Sequence, residues 1–202
     1  MNNNDAMDLS QMRSRLVKAA GEILERKGRQ ATVEEIAALA GLSVPVTYQF
    51  VKKPADFMLL ILEDLQGRFA ALVQPELVSG NSHPKRLLKA VETYYKVVDE
   101  EKAKVLLLYR SSRTLDEAGR KRIMALEMET VALFQGILDQ GRQAGAFHFT
   151  DPDLTAYNIV MLGHQWALKS WHFKQRGMNL GQYIAAQQEL ILLLARQRYT
   201  TN

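Results

Sequence analysis

The sequence contains no cysteine among its 202 residues. This absence excludes disulfides, thiolate catalysis, thiolate metal sites and redox sensing through thiols. No run of eighteen apolar residues occurs, and the first ten residues, MNNNDAMDLS, are polar and acidic. We therefore expect neither a membrane-spanning helix nor an export signal. The 47% hydrophobic content is sufficient for a substantial core, so a globular cytoplasmic protein with no membrane association is expected.

Sequence signatures of enzymes are also absent. There is no HExxH motif, no phosphate-binding loop and no dinucleotide-binding glycine pattern. His164 and His172 are two helical turns apart, about 12 Å along a helix axis, and so cannot share a metal ion. We predict no catalytic residue, no metal and no cofactor, and the chain is not expected to be an enzyme.

The pattern of apolar residues predicts an all-α fold. Apolar residues recur at spacings of three and four, while the alternation typical of strands is nearly absent. Capping residues, glycines and prolines divide the chain into about nine helices. The predicted segments are about 8–27, 32–41, 44–50, 54–73, 84–99, 102–111, 115–143, 151–175 and 180–198.

The N-terminal segments have the order required for a helix-turn-helix. The sequence TVEE predicts a capping box that begins at Thr32, Gly41 ends that helix, and Ser43 caps the next one. Pro45 is compatible with a helix here because it falls in the first turn, where its missing N–H has no helical partner. From this order alone, an ordinary three-helix corner remains an equal alternative.

The segment of about residues 13–58, which includes RLVKAAGEILERKG and TVEEIAALAGLSVPVTYQFVKKPADF, resembles the N-terminal domain of the tetracycline-repressor (TetR) family of bacterial transcription regulators. The resemblance implies a three-helix DNA-binding domain over residues 1–58, and a larger helical ligand-binding and dimerisation domain over residues 59–202. The expected partner is double-stranded operator DNA with palindromic half-sites.

The resemblance also implies which residues contact DNA. Thr32, Ser43, Thr47, Tyr48 and Lys53 are expected to approach phosphates, and Val44, Pro45, Val46 and Gln49 are expected to face base edges. Thr32 and Ser43 stand at helix N-termini, where free amides favour a phosphate. Pro54 occupies a position where the family usually has a lysine, and we expect Lys52 and Lys53 to replace that contact. The reading surface is therefore predicted to be apolar, with Gln49 able to make a bidentate contact to adenine.

A regulator of this family is expected to be a homodimer, because one head reads only a half-site. The family resemblance assigns the interface to the last two long helices, 151–175 and 180–198. The second of these has one stripe with Ile184, Gln188, Ile191 and Ala195, and another with Leu190, Leu193 and Leu194. A helix with two apolar faces requires cover on both sides.

The stretch GHQWALKSWHFKQRGMNLGQYI at 163–184 resembles the late-helix segment of TetR-type repressors that respond to acyl-CoA thioesters in fatty-acid, steroid-ring or aromatic-acid degradation. The implied effector is an acyl-CoA, which requires an apolar chamber and cations for its phosphates. On the helix predicted over 151–175, one face collects the candidate ligand-binding residues Trp166, Lys169, Ser170, Phe173 and Lys174. The segment YRSSR adds Tyr109, Arg110 and Arg113 as further candidates. Trp171 points away from this face, toward packing or a dimer seam.

Three alternatives remain open from the sequence. The basic residues near the tryptophans can form a solvated edge, and both tryptophans can be core or interface aromatics. A multidrug-type regulator would bind a cationic ligand through buried carboxylates, for which Glu92, Glu127 and Glu129 are candidates. A helical interaction or carrier protein without sequence-specific DNA reading is the alternative from a different class.

Overall fold

The computed structural model describes residues 8–77, 80–111, 115–149 and 151–196. Within these ranges the chain is all-α, as predicted, and contains no strand. The described residues form ten α-helices: α1 (Leu9–Lys27), α2 (Val33–Ala40), α3 (Val44–Thr47), α4 (Asp56–Leu77), α5 (His83–Glu100), α6 (Lys102–Ser111), α7 (Glu117–Gln143), α8 (Pro152–Leu168), α9 (Ser170–Gln175) and α10 (Leu180–Arg196). None of the described helices is both long and apolar enough to cross a membrane.

Compact packing divides the described residues into two units. The first comprises the described parts of Met1–Asp64 and Leu106–Ile123, and the second comprises those of Leu65–Val105 and Met124–Asn202. The division therefore falls within α4, six residues after the boundary predicted at residue 58. The described residues of 106–123, a segment that the domain prediction assigned to the second domain, cluster with the N-terminal bundle.

The core of the first unit forms around α1. Leu16, Ala20 and Ile23 are buried on its inner face, at the three- and four-residue spacing that places side chains on one face of a helix. α1 packs against α2, and α2 packs against α3. Gly28 ends α1 with a φ of 55°, a left-handed backbone that glycine adopts without a steric penalty. The predicted helix end at this residue is confirmed.

The second unit is organised around α5, which packs against both α8 and α10. Gly163 permits the close approach of α8, because a Cβ atom built there would lie 2.7 Å from Tyr94 Cε1 and 3.0 Å from the ring of Tyr95. Aromatic rings fill the interior beside this crossing. Phe69 and Phe134 stack with centroids 5.5 Å apart, and both contact the ring of Tyr94.

The segment predicted as one helix over 151–175 is two helices. Lys169 separates them with φ −116° and ψ 23°, outside the helical region. The sequence offers no proline or glycine to signal this break. Its cause is tertiary, because Trp166 before the break and Phe173 after it turn into the same aromatic cluster. The break accounts for ten observed helices where about nine were predicted.

Candidate DNA-binding and effector sites

The predicted helix-turn-helix is formed by α2, the turn at Gly41 and α3. Thr32 Oγ1 accepts a hydrogen bond from the amide of Glu35 at 3.2 Å, and Glu35 Oε2 accepts one from the amide of Thr32 at 3.3 Å. The predicted capping box is thus confirmed. Gly41 has φ 67°, and the amide of Leu42 donates to the carbonyl of Ala37 at 3.0 Å. These contacts end α2 sharply and set the direction in which α3 begins.

Ser43 caps α3, with its Oγ accepting from the amide of Val46 at 3.4 Å. Pro45 lies in the first turn of α3, as predicted. The helix is shorter than expected and ends at Thr47, after which a turn continues through Phe50. Val51 follows this turn and is 2% exposed, so it packs in the core of the first unit.

The exposed surface of α3 and its flanks has few hydrogen-bonding groups. Pro45, Tyr48 and Gln49 are exposed, and Val44 and Val46 are half-buried. Thr47 is fully buried, and its hydroxyl donates to the carbonyl of Ser43 at 3.1 Å. The expectation that Thr47 approaches a phosphate is therefore corrected: its side chain has no route to solvent and stabilises the first turn of α3.

Lys52 and Lys53 lie in the loop before α4, and both are exposed. Asp56 Oδ2 accepts from the amide of Lys52 at 2.8 Å and from that of Lys53 at 3.2 Å. α4 therefore begins at Asp56, two residues after Pro54, where the sequence predicted its start. The ammonium of Lys53 forms an ion pair with Asp116. Lys52 forms no ion pair with any residue that the structure describes.

The environment of Trp166 differs from the prediction. Its side chain is 8% exposed, and Nε1 donates to Asp99 Oδ1 at 2.6 Å. Its ring lies 5.3 Å from Phe173 and 5.0 Å from Tyr183, measured between centroids. Phe173 is 7% exposed. Both residues are core aromatics, which corrects their placement beside cations on an open ligand-binding face.

Beyond the helix break, the cations and the second tryptophan lie at the surface. Trp171 is 64% exposed. One interpretation of the sequence placed it in the core, but within the protomer it does not pack there. Lys169 and Lys174 are exposed and form no ion pair within the described part of the chain, and Ser170 is half-buried. The predicted face is thus split, with its rings inside and its charges outside.

The other predicted ligand-binding residues come from α6. Tyr109 is 41% exposed and Arg110 is exposed, and both belong to the unit that contains the N-terminal bundle. Arg113 lies outside the residues that the structure describes. The role of these three residues in effector binding stays a prediction.

A polar pair inside the second unit was missed by the sequence analysis. The Tyr94 hydroxyl and His164 Nε2 are hydrogen-bonded at 2.8 Å. Burial lowers the pKa of His164 to about 4, so the imidazole is neutral at pH 7. Beside this pair, the Tyr183 hydroxyl donates to the carbonyl of Leu162 at 2.6 Å, and burial raises its pKa. The sequence feature that could have indicated this pair is Gly163, next to His164, because a small residue within a helix permits a close helix crossing.

The outer faces of α8 and α10 carry exposed apolar side chains. On α10, Ile191 and Ala195 are buried, whereas Leu190, Leu193 and Leu194 are 42%, 57% and 41% exposed. The two stripes predicted for this helix are therefore present. A groove of about 420 Å³ runs between the two helices, and its lining residues are Asn158, Met161, Leu162, Gln165, Leu190 and Leu194. Among the described residues, no cluster of three or more histidine or acidic side chains could hold a metal ion.

Comparison with known proteins gives one family match and several relatives. Residues 80–193, more than half of the chain, match the model of the family described as "Tetracyclin repressor-like, C-terminal domain". The HTH-type transcriptional regulator HbdR of Aromatoleum sp. (strain CIB) is 29% identical over 188 residues, which cover 92% of this chain and 80% of HbdR.

Many solved structures share the fold, including the following two. A regulatory protein in the tetR family from Rhodococcus RHA1 aligns with a TM-score of 0.74 and 23% identity, covering 93% of this chain and 98% of that one. The transcriptional regulator FadR from Bacillus subtilis, solved in complex with stearoyl-CoA, aligns with a TM-score of 0.76 and 17% identity, covering 90% and 98%. At these identities, the two likenesses establish the common fold.

Proposed function

This chain belongs to the TetR family of transcriptional regulators, and we propose that it is a homodimeric, ligand-responsive repressor released from its operator by a small molecule. The observation that carries the proposal is the capped pair α2–α3, in which Thr32 and Ser43 mark two helix N-termini. Helix N-termini favour phosphate oxygens through their amides and dipole. A repressor of this type acts in the cytoplasm, where operator DNA lies.

In the proposed complex, phosphate contacts provide most of the affinity. Thr32 and Ser43 use their hydroxyls as acceptors in the caps, which leaves each hydroxyl hydrogen to donate to a phosphate. The exposed hydroxyl of Tyr48 and the ammonium groups of Lys52 and Lys53 add further donors. Phosphate contacts fix the register but carry no sequence information directly.

Base reading would depend on a small apolar surface. Gln49 can donate and accept at an adenine edge, and Val44, Pro45 and Val46 can contact a thymine methyl. With so few polar groups, each protomer reads a short half-site, and palindromic half-sites on the operator supply the remaining specificity through two-fold symmetry.

We propose that the second copy of this chain covers the outer faces of α8 and α10. Tyr157 of α8 and the leucines of α10 are exposed, and two of those leucines line the groove between the helices. Exposed apolar side chains that cluster on one part of a surface are typical of a protein interface. Two-fold pairing of these helices gives a four-helix interface, as the family resemblance implies.

For the effector we propose an acyl-CoA thioester. FadR, which shares the fold, was solved with stearoyl-CoA. The exposed Lys169 and Lys174 supply cations that suit the phosphates of coenzyme A. The aromatic interior of the second unit suits an acyl chain, and Tyr94 and His164 offer polar groups inside it. Because these side chains fill the interior, an acyl chain would enter by displacing them.

The cationic-ligand alternative has less support. Glu92 is paired with Lys89 at 3.3 Å and with Lys96 at 2.5 Å. The hydrogen bond from Lys96 is the largest cause that lowers the pKa of the Glu92 carboxyl. Glu127 accepts from the exposed Tyr157 hydroxyl at 3.1 Å. Met124 and Met128 are 64% and 45% exposed. A multidrug-type site needs carboxylates enclosed by aromatic rings, whereas Glu92 and Glu127 are half-buried and bound by the polar groups named above, and Glu129 is exposed.

DNA binding is tested by selecting a duplex from a random library and measuring its affinity at several salt concentrations. A regulator with six phosphate contacts loses affinity on the order of 10³-fold between 50 and 200 mM salt. Equal binding to selected and scrambled duplexes would contradict the proposal and favour an interaction protein with a helix-turn-helix that does not read DNA.

The effector is tested by thermal unfolding with acyl-CoAs, free fatty acids and cationic dyes. A ligand that binds only the folded state, at a hundred times its dissociation constant, stabilises that state by about 2.7 kcal/mol. Stabilisation by acyl-CoAs, together with release of the selected duplex, is the expected result. Stabilisation by dyes alone would replace the acyl-CoA proposal with the multidrug one.

A further inference from the structure

The ion pair between Lys53 and Asp116 joins two distant parts of the sequence inside the first unit. Lys53 lies in the loop between α3 and α4, and Asp116 directly precedes α7. The side chains are 48% and 52% exposed. A solute at the surface, including a nucleic acid phosphate, can therefore reach the ammonium of Lys53.

Asp116 uses its two carboxylate oxygens for different contacts. Oδ1 accepts from the amide of Gly119 at 2.8 Å, which caps the first turn of α7. Oδ2 holds the ammonium of Lys53. Because the cap already orders this side chain, the carboxylate is in place for Lys53 without further loss of rotamer freedom.

The protonation of both groups agrees with a formed pair. The hydrogen bond from Lys53 is the largest cause that lowers the pKa of Asp116, and the same bond raises the pKa of Lys53. The carboxylate of Asp56 raises the pKa of Lys53 further, although its Oδ2 atom is bound to the amides of Lys52 and Lys53. Lys53 is thus held by acidic groups, whereas the neighbouring Lys52 is not.

We propose that Asp116 competes with an operator phosphate for the ammonium of Lys53, so that this ion pair weakens the affinity of the regulator for DNA. The inference rests on the proposed DNA-binding function. In the free protein, Asp116 neutralises a cation that the operator would otherwise meet. In the complex, Lys53 must leave Asp116, whose carboxylate then lies near the phosphate and repels it.

The test compares Asp116→Asn with Glu117→Gln in the full-length protein, using the selected duplex and a scrambled one. Asparagine keeps an oxygen to cap α7 but removes the charge that holds Lys53. Glu117→Gln is the matched control, because it removes an equal charge from the next residue, whose exposed carboxylate pairs with Lys121 instead. Asp116→Ser is a second variant that retains a capping oxygen.

We expect Asp116→Asn to bind the duplex about two- to fivefold more tightly than Glu117→Gln, the range of an exposed ion pair. The slope of log affinity against log salt should steepen by up to about 0.9 per protomer, because Lys53 then releases a counterion in full. Lys53→Ala should reduce affinity more in the Asp116→Asn background than in the unsubstituted chain. Thermal unfolding of each variant verifies that the fold is intact.

Equal affinities and slopes for Asp116→Asn, Asp116→Ser and Glu117→Gln, in proteins that still prefer the selected duplex, would overturn the competition and leave the proposed function standing. An equal cost of Lys53→Ala in both backgrounds would overturn it as well. If the unsubstituted chain has no preference for any duplex, the proposed function and this inference both fail.

Discussion

At the scale of single residues, Gly163 is the position where one added methyl group has the clearest consequence. Gly163→Ala would place Cβ 2.7 Å from the ring of Tyr94, which cannot move without displacing the aromatic core. We expect the free energy of unfolding to fall by about 1–3 kcal/mol, measured by urea denaturation. Gly67→Ala is the control, because nothing lies within 4 Å of its Cβ, and alanine there should stabilise α4 by up to about 1 kcal/mol. Equal effects would contradict the close crossing of α5 and α8.

His164 makes the stability of the second unit depend on pH. Its pKa is about 4 in the folded chain and about 6.5 in an unfolded one. The unfolded state therefore binds more protons below pH 6.5, and stability falls as the pH decreases from 6.5 toward 4. We expect a loss of about 2 kcal/mol between pH 7.5 and pH 5 from this group, measured by urea denaturation at both pH values.

Two histidine variants assign this pH effect. His164→Gln should reduce the difference in stability between the two pH values, because it removes the group that titrates. His172→Gln, at an exposed histidine on α9, should leave the difference unchanged. If both variants behave as the unsubstituted chain does, the loss at low pH comes from other groups.

Lys169 lies at the surface beside the break between α8 and α9, and we expect it to contact the phosphates of the effector. Lys169→Ala should weaken release of the operator duplex by acyl-CoA several-fold, while affinity for DNA without effector is unchanged. Lys85→Ala is the control. Lys85 is also exposed, but it lies at the N-terminal end of α5, whereas the residue of α5 that contacts Trp166, Asp99, lies at the C-terminal end. Titration of release against acyl-CoA concentration distinguishes the two. Equal release curves for Lys169→Ala and Lys85→Ala would contradict a contact between Lys169 and the effector.

At the scale of elements, the sequence predicted helices wherever capping chemistry was local. The box at Thr32, the glycine at 41 and the Ser43 cap of α3 all formed as expected. The break at Lys169 could not be predicted, because it accompanies the packing of Trp166 and Phe173, on either side of it, against Tyr183 of another helix. For the same reason, the prediction that Trp166 and Phe173 lie on one ligand-binding face with Lys169 and Lys174 was wrong.

The capping box of α2 gives a prediction at this scale. Thr32→Ala removes the acceptor for the amide of Glu35 and should lower stability by about 1 kcal/mol. It should also weaken operator binding, because the same hydroxyl is proposed to contact a phosphate. Thr32→Ser keeps the hydroxyl and should be close to the unsubstituted chain in both respects. Urea denaturation and duplex affinity measure the two effects, and an alanine variant that resembles the serine variant would contradict both roles.

At the scale of the whole molecule, the exposed leucines of α10 are expected to hold two protomers together. Leu193→Glu introduces a charge into the proposed seam and should convert the dimer to a monomer in sedimentation analysis. Affinity for the two-half-site duplex should then fall by at least tenfold, because one head contributes alone. Leu72→Glu is the control, since Leu72 is also an exposed leucine, at 51%, but lies on α4, which contributes no residue to the groove between α8 and α10. If the Leu193→Glu protein remains dimeric, the proposal that this face of α10 forms the dimer interface is contradicted.

The composition of the first unit has a consequence for the engineering of hybrid regulators. A graft cut at residue 58, where the sequence resemblance ends, would separate Lys53 from Asp116 and Arg13 from Glu63 and Asp64. It would also omit residues 106–123, which belong to the same compact unit. The N-terminal segment is therefore not a self-contained unit for exchange, and a chimera that exchanges the second unit must retain residues 106–123 together with the N-terminal bundle.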